Sequence, residues 1–180
     1  MSALTLTLPD GGALALRAGQ LTQCAWSPAN QAAISAALLA AGQVTLALPA
    51  QGGLLSTLSV ADNLTLAASY HGMPWAELDA ALALLLPALA LDAAAWRALL
   101  ATPTEQLSAD DRRRVLLLRA ALTPAAAWLI DSDFFADAHP DLAARGQALL
   151  AKALPGRLAV WLTRPARPAQ PGAEWKEPPP

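Results

Sequence analysis

Two neighbouring stretches decide the fold of this chain: LSADDRRRV at residues 107–115 and AWLIDSDF at residues 127–134. Ser108 is a good N-cap for a helix, and Asp111 stands three residues later, where it can return a hydrogen bond to the cap. The second stretch begins with four apolar residues, the pattern of a buried strand, and that strand ends at Asp131. A long helix followed by a buried strand is typical of an α/β sheet.

Length and composition favour one compact domain. Of the 180 residues, 55% are hydrophobic and 14% are charged, which suffices for a core and differs from disordered chains. The net charge is −2 and the basic residues are scattered except at 112–114, so we expect no nucleic-acid partner. Neither a basic leader nor an apolar run of membrane-spanning length is visible, and we expect a cytoplasmic protein. The single Cys24 is expected to be a buried core residue.

Strands and helices alternate along the chain. Residues 4–16 are expected to form a small hairpin around a turn at residues 10–12. The expected core strands occupy residues 21–26, 44–48, 127–130 and 157–163. The helices expected between them occupy residues 31–41, 108–122 and 142–153, with a loop at 27–30 before the first. Parallel strands joined by helices predict an α/β fold.

A helical block separates the second core strand from the third. Helices are expected near residues 60–70, 75–89 and 92–100, which makes a helical subdomain over about residues 60–104 within a single domain of residues 1–164. From residue 165 to residue 180 Pro and polar residues accumulate without periodicity. We predict a Pro-rich disordered tail there.

The two opening stretches resemble the signature helix and Walker B strand of ABC-transporter ATPases. That family has Leu-Ser-Gly-Gly-Gln, a basic turn, an apolar helix, four apolar residues and Asp-Glu-Pro. The resemblance covers residues 21–163 in motif order, and it implies a truncated P-loop NTPase-like parallel sheet with a helical subdomain. Here Ala109 and Asp110 replace the signature glycines, Asp111 the glutamine and Ser132 the catalytic glutamate.

Residues 27–35, SPANQAAIS, stand where the family has its Walker A loop, Gly-Pro-Asn-Gly-x-Gly-Lys-Ser-Thr. The family's glycines let backbone amides surround phosphates, its lysine neutralises them, and the next hydroxyl holds magnesium. Ser27 and Asn30 take glycine positions, Ala33 the lysine position and Ile34 the hydroxyl position. One lost charge-assisted contact costs about 1.5–3 kcal/mol, so we expect neither ATP nor magnesium as a cofactor. The alternative is a plain strand-to-helix turn without a ligand.

The other positions of the family's nucleotide site carry the same implication. Asp131 keeps the Walker B aspartate, although an aspartate at a strand end is also a common cap. Arg164 replaces the switch histidine. Gln51 takes the place of the Q-loop glutamine in one register, and Ala50 does so in the other. We expect no catalytic residue, and neither His71 nor His139 lies in a metal-ligand pattern.

Ser108 keeps the signature hydroxyl, but helix capping alone explains it. Asp110 and Asp111 would each repel a phosphate about 5 Å away by roughly 3 kcal/mol at an effective dielectric constant of about 20. This half of a nucleotide site is therefore expected to reject ATP. For the basic run 112–114 we expect a solvated helix face, with contact to an acidic partner as the alternative.

Residues 51–64, QGGLLSTLSVADNL, resemble the Q-loop and the segment that follows it in the family. The Gly-Gly-Leu-Leu core is similar to Gly-Ala-Leu-Phe in the ATPases of MCE/Mla-type lipid-trafficking systems. The family uses this region and the helical block to receive a coupling helix of the membrane subunit. The resemblance implies that Leu54, Leu55 and Leu58 are apolar partner-binding residues, with burial beneath the helical block as the alternative.

The resemblance as a whole implies a catalytically degenerate ABC-transporter nucleotide-binding-domain-like subunit. Such a subunit would be structural or regulatory in a membrane transport system, with lipid trafficking as the implied branch. Its implied partners are an ABC permease or an active ATPase subunit, which would hold it at the inner face of the membrane, and no ATP-dependent homodimer is expected. Two alternatives stay open: a weak or composite-site ATPase subunit, and an unrelated α/β interaction domain.

Overall fold

The computed structural model describes residues 3–70 and 72–164, so the predicted tail and His71 lie outside the described residues. The strands in this part of the chain are β1 Ala3–Thr7, β2 Ala13–Arg17, β3 Leu21–Ala25, β4 Thr45–Leu48, β5 Ala127–Asp131 and β6 Leu158–Thr163. β1 and β2 form an antiparallel hairpin. The other four form a parallel sheet in the order β3-β6-β5-β4. The predicted α/β fold with a parallel sheet is confirmed.

Helices connect the strands and cover both faces of the sheet. The α-helices are α1 Pro28–Ala40, α2 Val60–Tyr70, α3 Trp75–Leu85, α4 Ala93–Ala101, α5 Ala109–Leu122 and α6 Pro140–Ala153. Short 3-10 turns occupy Pro87–Leu89, Thr104–Gln106 and Ser132–Phe135. The helical block predicted between the second and third core strands therefore consists of α2, α3 and α4.

The central strands are buried on both faces because their side chains alternate between two apolar clusters. Trp128 and Ile130 of β5 pack with α2, α5 and α6. Ala127 and Leu129 of the same strand pack on the opposite face with α1 and the hairpin. This is why the sequence of β5 is continuously apolar rather than alternating. Cys24 lies in the second cluster, and its predicted burial is confirmed.

The predicted loop at residues 27–30 is wrong, because α1 begins three residues earlier than expected. Ser27 caps the helix by accepting a hydrogen bond from the backbone N–H of Asn30 at 3.0 Å. Pro28 follows at the first helical position, where its missing N–H costs nothing. The chain thus passes from β3 into α1 through Trp26 and Ser27 alone.

The single helix predicted at residues 75–89 is interrupted. Leu86 follows the end of α3, and Pro87 then lacks the N–H that would continue the helical ladder. The chain forms a 3-10 turn that ends at Ala90, a non-glycine residue with a φ of 55°. Asp92 is the N-cap of the next helix, α4, and its side chain accepts hydrogen bonds from two backbone N–H groups of the first turn at 2.8 and 2.9 Å.

No single helix in the described ranges combines the length and apolar composition needed to cross a membrane. The segments Trp75–Leu89 and Ala93–Ala101 meet that test only as a pair, and they are bent by 106°.

Candidate functional site

The carboxyl ends of the parallel strands meet the N-terminus of α5 around a cleft of about 890 Å³. Trp26 follows β3, Pro49 follows β4 and Asp131 ends β5 at this edge. Arg112 on α5 faces them, and Arg164 follows β6. In parallel α/β sheets this edge is the usual place for a ligand. The cleft is therefore the candidate site.

Arg164 joins the polar groups on the strand side of the cleft. Its Nη2 donates to Asp131 Oδ2 at 2.9 Å, and its Nε lies 3.3 Å from Asp133 Oδ2. The backbone N–H of Arg164 donates to Ser132 Oγ at 3.2 Å. The guanidinium carbon lies 4.2 Å from the centre of the Trp26 ring, within the range of a cation–π contact. We call these five residues the Arg164 cluster.

The Arg164 cluster places a permanent cation against the carboxylate that ends β5. The hydrogen bond to Asp131, aided by the charges of Asp131 and Asp133, raises the pKa of the Arg164 guanidinium against an opposing effect of desolvation. Asp131 is also a local cap, because its Oδ1 accepts from the backbone N–H of Asp133 at 3.0 Å. Ser132 Oγ donates to Asp133 Oδ1 at 3.2 Å. The side-chain oxygens at this strand end are thus engaged within the chain.

The residues predicted to replace the Walker A loop lie inside or next to α1. Ile34 is fully buried in the second cluster, so its side chain points away from the cleft. Ala33, one residue earlier, is half-buried. Asn30 is buried, and its amide donates to the carbonyl of Ala25 at 2.9 Å, which satisfies the end of β3. The structure therefore gives Ser27 and Asn30 helix-capping and strand-capping contacts.

The N-terminus of α5 is closed by its own side chains. Ser108 Oγ accepts from the backbone N–H of Asp111 at 3.0 Å and donates to Asp111 Oδ2 at 2.7 Å. Asp111 also pairs with Arg114 at 2.7 Å. Asp110 pairs with Arg113 at 3.1 Å and accepts from the backbone N–H of His139. Because both carboxylates are paired with arginines, the repulsion expected for two bare charges is an overestimate.

The prediction of a solvated face for residues 112–114 is wrong for Arg113, which is only 6% exposed. Its Nε donates to the carbonyl of Phe134 at 2.7 Å, and its Nη1 reaches Asp110. Arg113 thus ties the start of α5 to the 3-10 turn that follows β5. Because Arg113 and Phe134 are 21 residues apart, the sequence carries no local signal of their contact.

The loop after β4 is held by a side chain that the sequence analysis missed. Asn63 on α2 is 1% exposed, and its Oδ1 accepts from the backbone N–H of Leu55 at 2.8 Å. Its Nδ2 lies within hydrogen-bond distance of the carbonyls of Leu55, Leu58 and Ser59, at 2.9, 3.3 and 3.0 Å. The hydroxyl of Thr104 also donates to the carbonyl of Leu58 at 2.6 Å. The loop is consequently fixed to the helical block.

The three leucines predicted to bind a partner differ in burial. Leu55 is 51% exposed, whereas Leu54 packs partly against the first apolar cluster. Leu58 is half-buried. Gln51 is exposed, lines the cleft and precedes Gly52, whose φ is 75°. The structure brings Gln51 to the same cleft as Asp131 and Arg164, and it leaves Leu55 as the most exposed of the three leucines.

His139 caps α6, because its Nδ1 accepts from the backbone N–H of Asp141 at 3.3 Å. In the chain outside residues 1–2, 71 and 165–180, no three His, Cys, Asp or Glu side chains come together in a group that could hold a metal ion. In the cleft, Arg164 contacts two carboxylates and an indole ring. Arg112 and Gln51 line the remaining space of the cleft.

Comparisons with known proteins place this architecture among the ATP-binding subunits of ABC transporters. An ATP-binding subunit of an ABC transporter matches with a TM-score of 0.68 and 15% identity over 91% of this chain and 78% of that one. An ATP-binding protein assigned to an ABC transporter of Pyrococcus furiosus matches with a TM-score of 0.62 and 16% identity over 93% and 91%. A protein described as a metal-chelate type ABC transporter in an inward-facing conformation matches with a TM-score of 0.62 and 15% identity over 89% and 73%.

No protein-family model matches the sequence, and no curated protein matches it either. At 15–16% identity the structural likeness establishes the fold, which this chain shares with ATP-binding subunits of ABC transporters. The predicted P-loop NTPase-like architecture is confirmed.

Proposed function

We propose that this chain is a catalytically silent nucleotide-binding-domain-like subunit of a membrane transport system and acts by binding protein partners. The observation that carries the proposal is the Arg164 cluster. Arg164, which follows β6, forms an ion pair with Asp131, the aspartate to which the resemblance assigns magnesium binding. A divalent cation would have to displace the Arg164 guanidinium to reach Asp131 Oδ2.

The start of α1 supports the same proposal. Backbone amides can surround a phosphate only where the loop before a helix is long enough and free enough to curl. Here Ser27 caps α1 directly after Trp26. Ile34, which is next to position 33, is buried in the core. A nucleotide would thus find neither a phosphate loop nor a lysine at position 33.

The helical block offers a surface for a protein partner. Leu66, Trp75 and Leu84 are exposed large apolar residues on α2 and α3. A groove of about 320 Å³ runs between α2, α3 and α4 and is lined by apolar side chains that include Leu64, Trp75 and Trp96. Exposed apolar side chains beside a groove are the usual mark of an interaction surface. We propose that this surface, together with Leu55, receives a permease segment at the inner face of the membrane.

The proposed partner is an ABC permease or an active ATPase subunit, and lipid trafficking is the proposed branch because of the Gly-Gly-Leu-Leu segment. The alternative of a composite ATPase site would need Ser108 and Asp131 to be available to a nucleotide. Their hydrogen bonds to Asp111 and Arg164 favour the silent subunit over that alternative.

The test is co-purification from the native cell with the wild-type chain and with Leu55→Asp. Because the backbone of Leu55 is held by Asn63 and its side chain is exposed, we expect Leu55→Asp to keep the fold and to lose at least about 90% of the recovered transporter component. Leu39→Asp is the matched control, since Leu39 is 76% exposed and lies on α1, which is not part of the helical block.

We expect circular dichroism and thermal unfolding of both variants to match the wild type, with recovery unchanged in Leu39→Asp. Recovery of the same transporter component with Leu55→Asp would reject Leu55 as part of the interface. Recovery of no transporter component with the wild-type chain would reject the proposed function itself.

A further inference from the structure

A second groove, of about 600 Å³, lies where α3 of the helical block approaches α6. Ala81 and Leu84 of α3 line one side of it, and Ala148 and Leu149 of α6 line the other. The groove between α2, α3 and α4 is lined by other residues of α3, among them Trp75. The two grooves therefore lie on different faces of α3.

Leu84 stands at the rim of the second groove and is 80% exposed. An exposed leucine beside an open apolar groove is typical of an interaction surface. Ala88, Ala121 and Ala148 also line the groove, and such small side chains let a second helix approach to the lower end of the usual range of about 8–10 Å between axes. The groove thus fits a helix that presents one large apolar side chain among small ones.

The helix α3 itself has this form on its exposed face. Ala80, Ala83 and Leu84 are all exposed there, so one leucine stands among alanines. A surface that contains both the groove and a helix that fits it can pair with its own copy about a two-fold axis.

The charges at the two ends of this surface are opposite and unpaired. Glu77 is exposed seven residues before Leu84, on the same face of α3 and about 10.5 Å away along the helix axis. Lys152 is exposed on α6 and lines the groove. Neither Glu77 nor Lys152 forms an ion pair with another residue in the described ranges. Arg145, the other cation of the groove, is already paired with Asp141 at 2.8 Å.

The positions of these charges suit an antiparallel pair of α3 helices. Glu77 lies in the first turn of α3, whereas α6 packs against the 3-10 turn Pro87–Leu89 beyond the other end of α3. With a two-fold axis near Leu84, each α3 runs past the end of the other. Glu77 then comes to α6 of the second copy, where Lys152 of the partner subunit stands.

We propose that this chain forms a symmetric dimer in which Leu84 of each copy enters the groove between α3 and α6 of the other, and Glu77 pairs with Lys152 across the interface. The groove shares no lining residue with the cleft that contains Arg164, so the dimer forms without nucleotide. It leaves the groove lined by Trp75 and Trp96 open. The proposal does not depend on the proposed function, since its test uses the purified chain alone.

Sedimentation velocity of the full chain without nucleotide tests the dimer. Because one helix face and one groove make a small interface, we expect a dissociation constant of about 10–100 μM. Leu84→Asp should weaken dimerisation at least about tenfold, because it places a carboxylate in an apolar groove. Leu39→Asp is the matched control, since Leu39 is 76% exposed on α1 and should leave dimerisation unchanged.

A wild-type chain that stays monomeric up to about 500 μM would overturn the proposal. Dimerisation that is equally strong in Leu84→Asp would overturn it as well. Circular dichroism shows that the variants are folded, and we expect this result because both leucines are exposed.

Charge reversal tests the pairing of Glu77 with Lys152. Glu77→Lys and Lys152→Glu each place like charges together twice in a symmetric dimer, and we expect each to weaken dimerisation about fivefold. An equal mixture of the two variants restores both ion pairs in the mixed dimer, and its affinity should return to within about twofold of the wild type. Glu105→Lys is the control, since Glu105 is exposed and does not line the groove. A mixture that dimerises no better than the two variants alone would overturn the proposed orientation.

Discussion

At the scale of single residues, Arg164 makes the contacts that join the strand ends beside the cleft. The sequence places an arginine where the resemblance expects a histidine, but it does not predict the direction of the side chain. The structure turns it toward Asp131 and Asp133 and stacks it over Trp26, so one residue connects the ends of β3, β5 and β6. Side chains separated by more than thirty residues meet here, and such contacts leave no local pattern in a single sequence.

Cys24 gives a prediction with a defined sign. Burial, and after it the negative charge of Asp10, raises the pKa of the Cys24 thiol above its ordinary value of 9.0. The folded chain therefore holds this proton more tightly than the unfolded chain does. The contribution of the protonated Cys24 thiol to the free energy of unfolding is fully present below pH 9.0. It is lost as the pH rises through the raised pKa.

Urea unfolding of the wild type and of Cys24→Ala between about pH 8 and about pH 10 measures this effect. We expect the wild-type free energy of unfolding to fall more steeply with pH than that of Cys24→Ala. Other titrating groups are the same in both proteins and cancel in the comparison. Parallel pH curves for the two proteins would contradict the raised pKa.

At the scale of elements, caps and turns determine where the sequence was informative. Ser108 with Asp111, and Asp92, are local signals, and the structure begins helices at both. Pro87 is also a local signal, but the prediction of one helix at residues 75–89 did not use it. The start of α1 was also encoded locally, by Ser27 and Pro28, but residues 27–30 were predicted as a loop, and the helix start was placed three residues too late.

Asn63 is the element-scale feature that the sequence did not reveal. It joins α2 to the loop before it through four hydrogen-bond contacts to main-chain groups, and it is almost completely buried. We expect Asn63→Ala to lower the free energy of unfolding by about 2–4 kcal/mol, because it leaves several buried backbone groups without partners.

Ser56→Ala is the control for the Asn63 variant, since Ser56 is exposed in the same loop and a change there should stay within about 0.5 kcal/mol of the wild type. Urea unfolding of the three proteins gives the comparison. A loss below about 0.5 kcal/mol in Asn63→Ala would show that the loop is not held by this side chain.

At the scale of the whole molecule, two apolar clusters on opposite faces of one parallel sheet account for the fold. The sequence predicted the sheet because its strands are short apolar runs between helices, and it predicted the helical block because three helix-forming segments follow one another. It could not predict the strand order, since this depends on which strands meet across long separations. The likeness to ATP-binding subunits of ABC transporters, at 15–16% identity, supports this fold.

The central claim of a silent nucleotide site is tested most directly by titrating the full-length chain with Mg-ATP in a calorimeter. We predict no saturable binding up to about 1 mM, which corresponds to less than about 4 kcal/mol of binding free energy. Ala33→Lys should behave in the same way, because the buried Ile34 and the Arg164–Asp131 ion pair are unchanged in it. A wild-type dissociation constant near 10 μM, about 7 kcal/mol, would contradict the account.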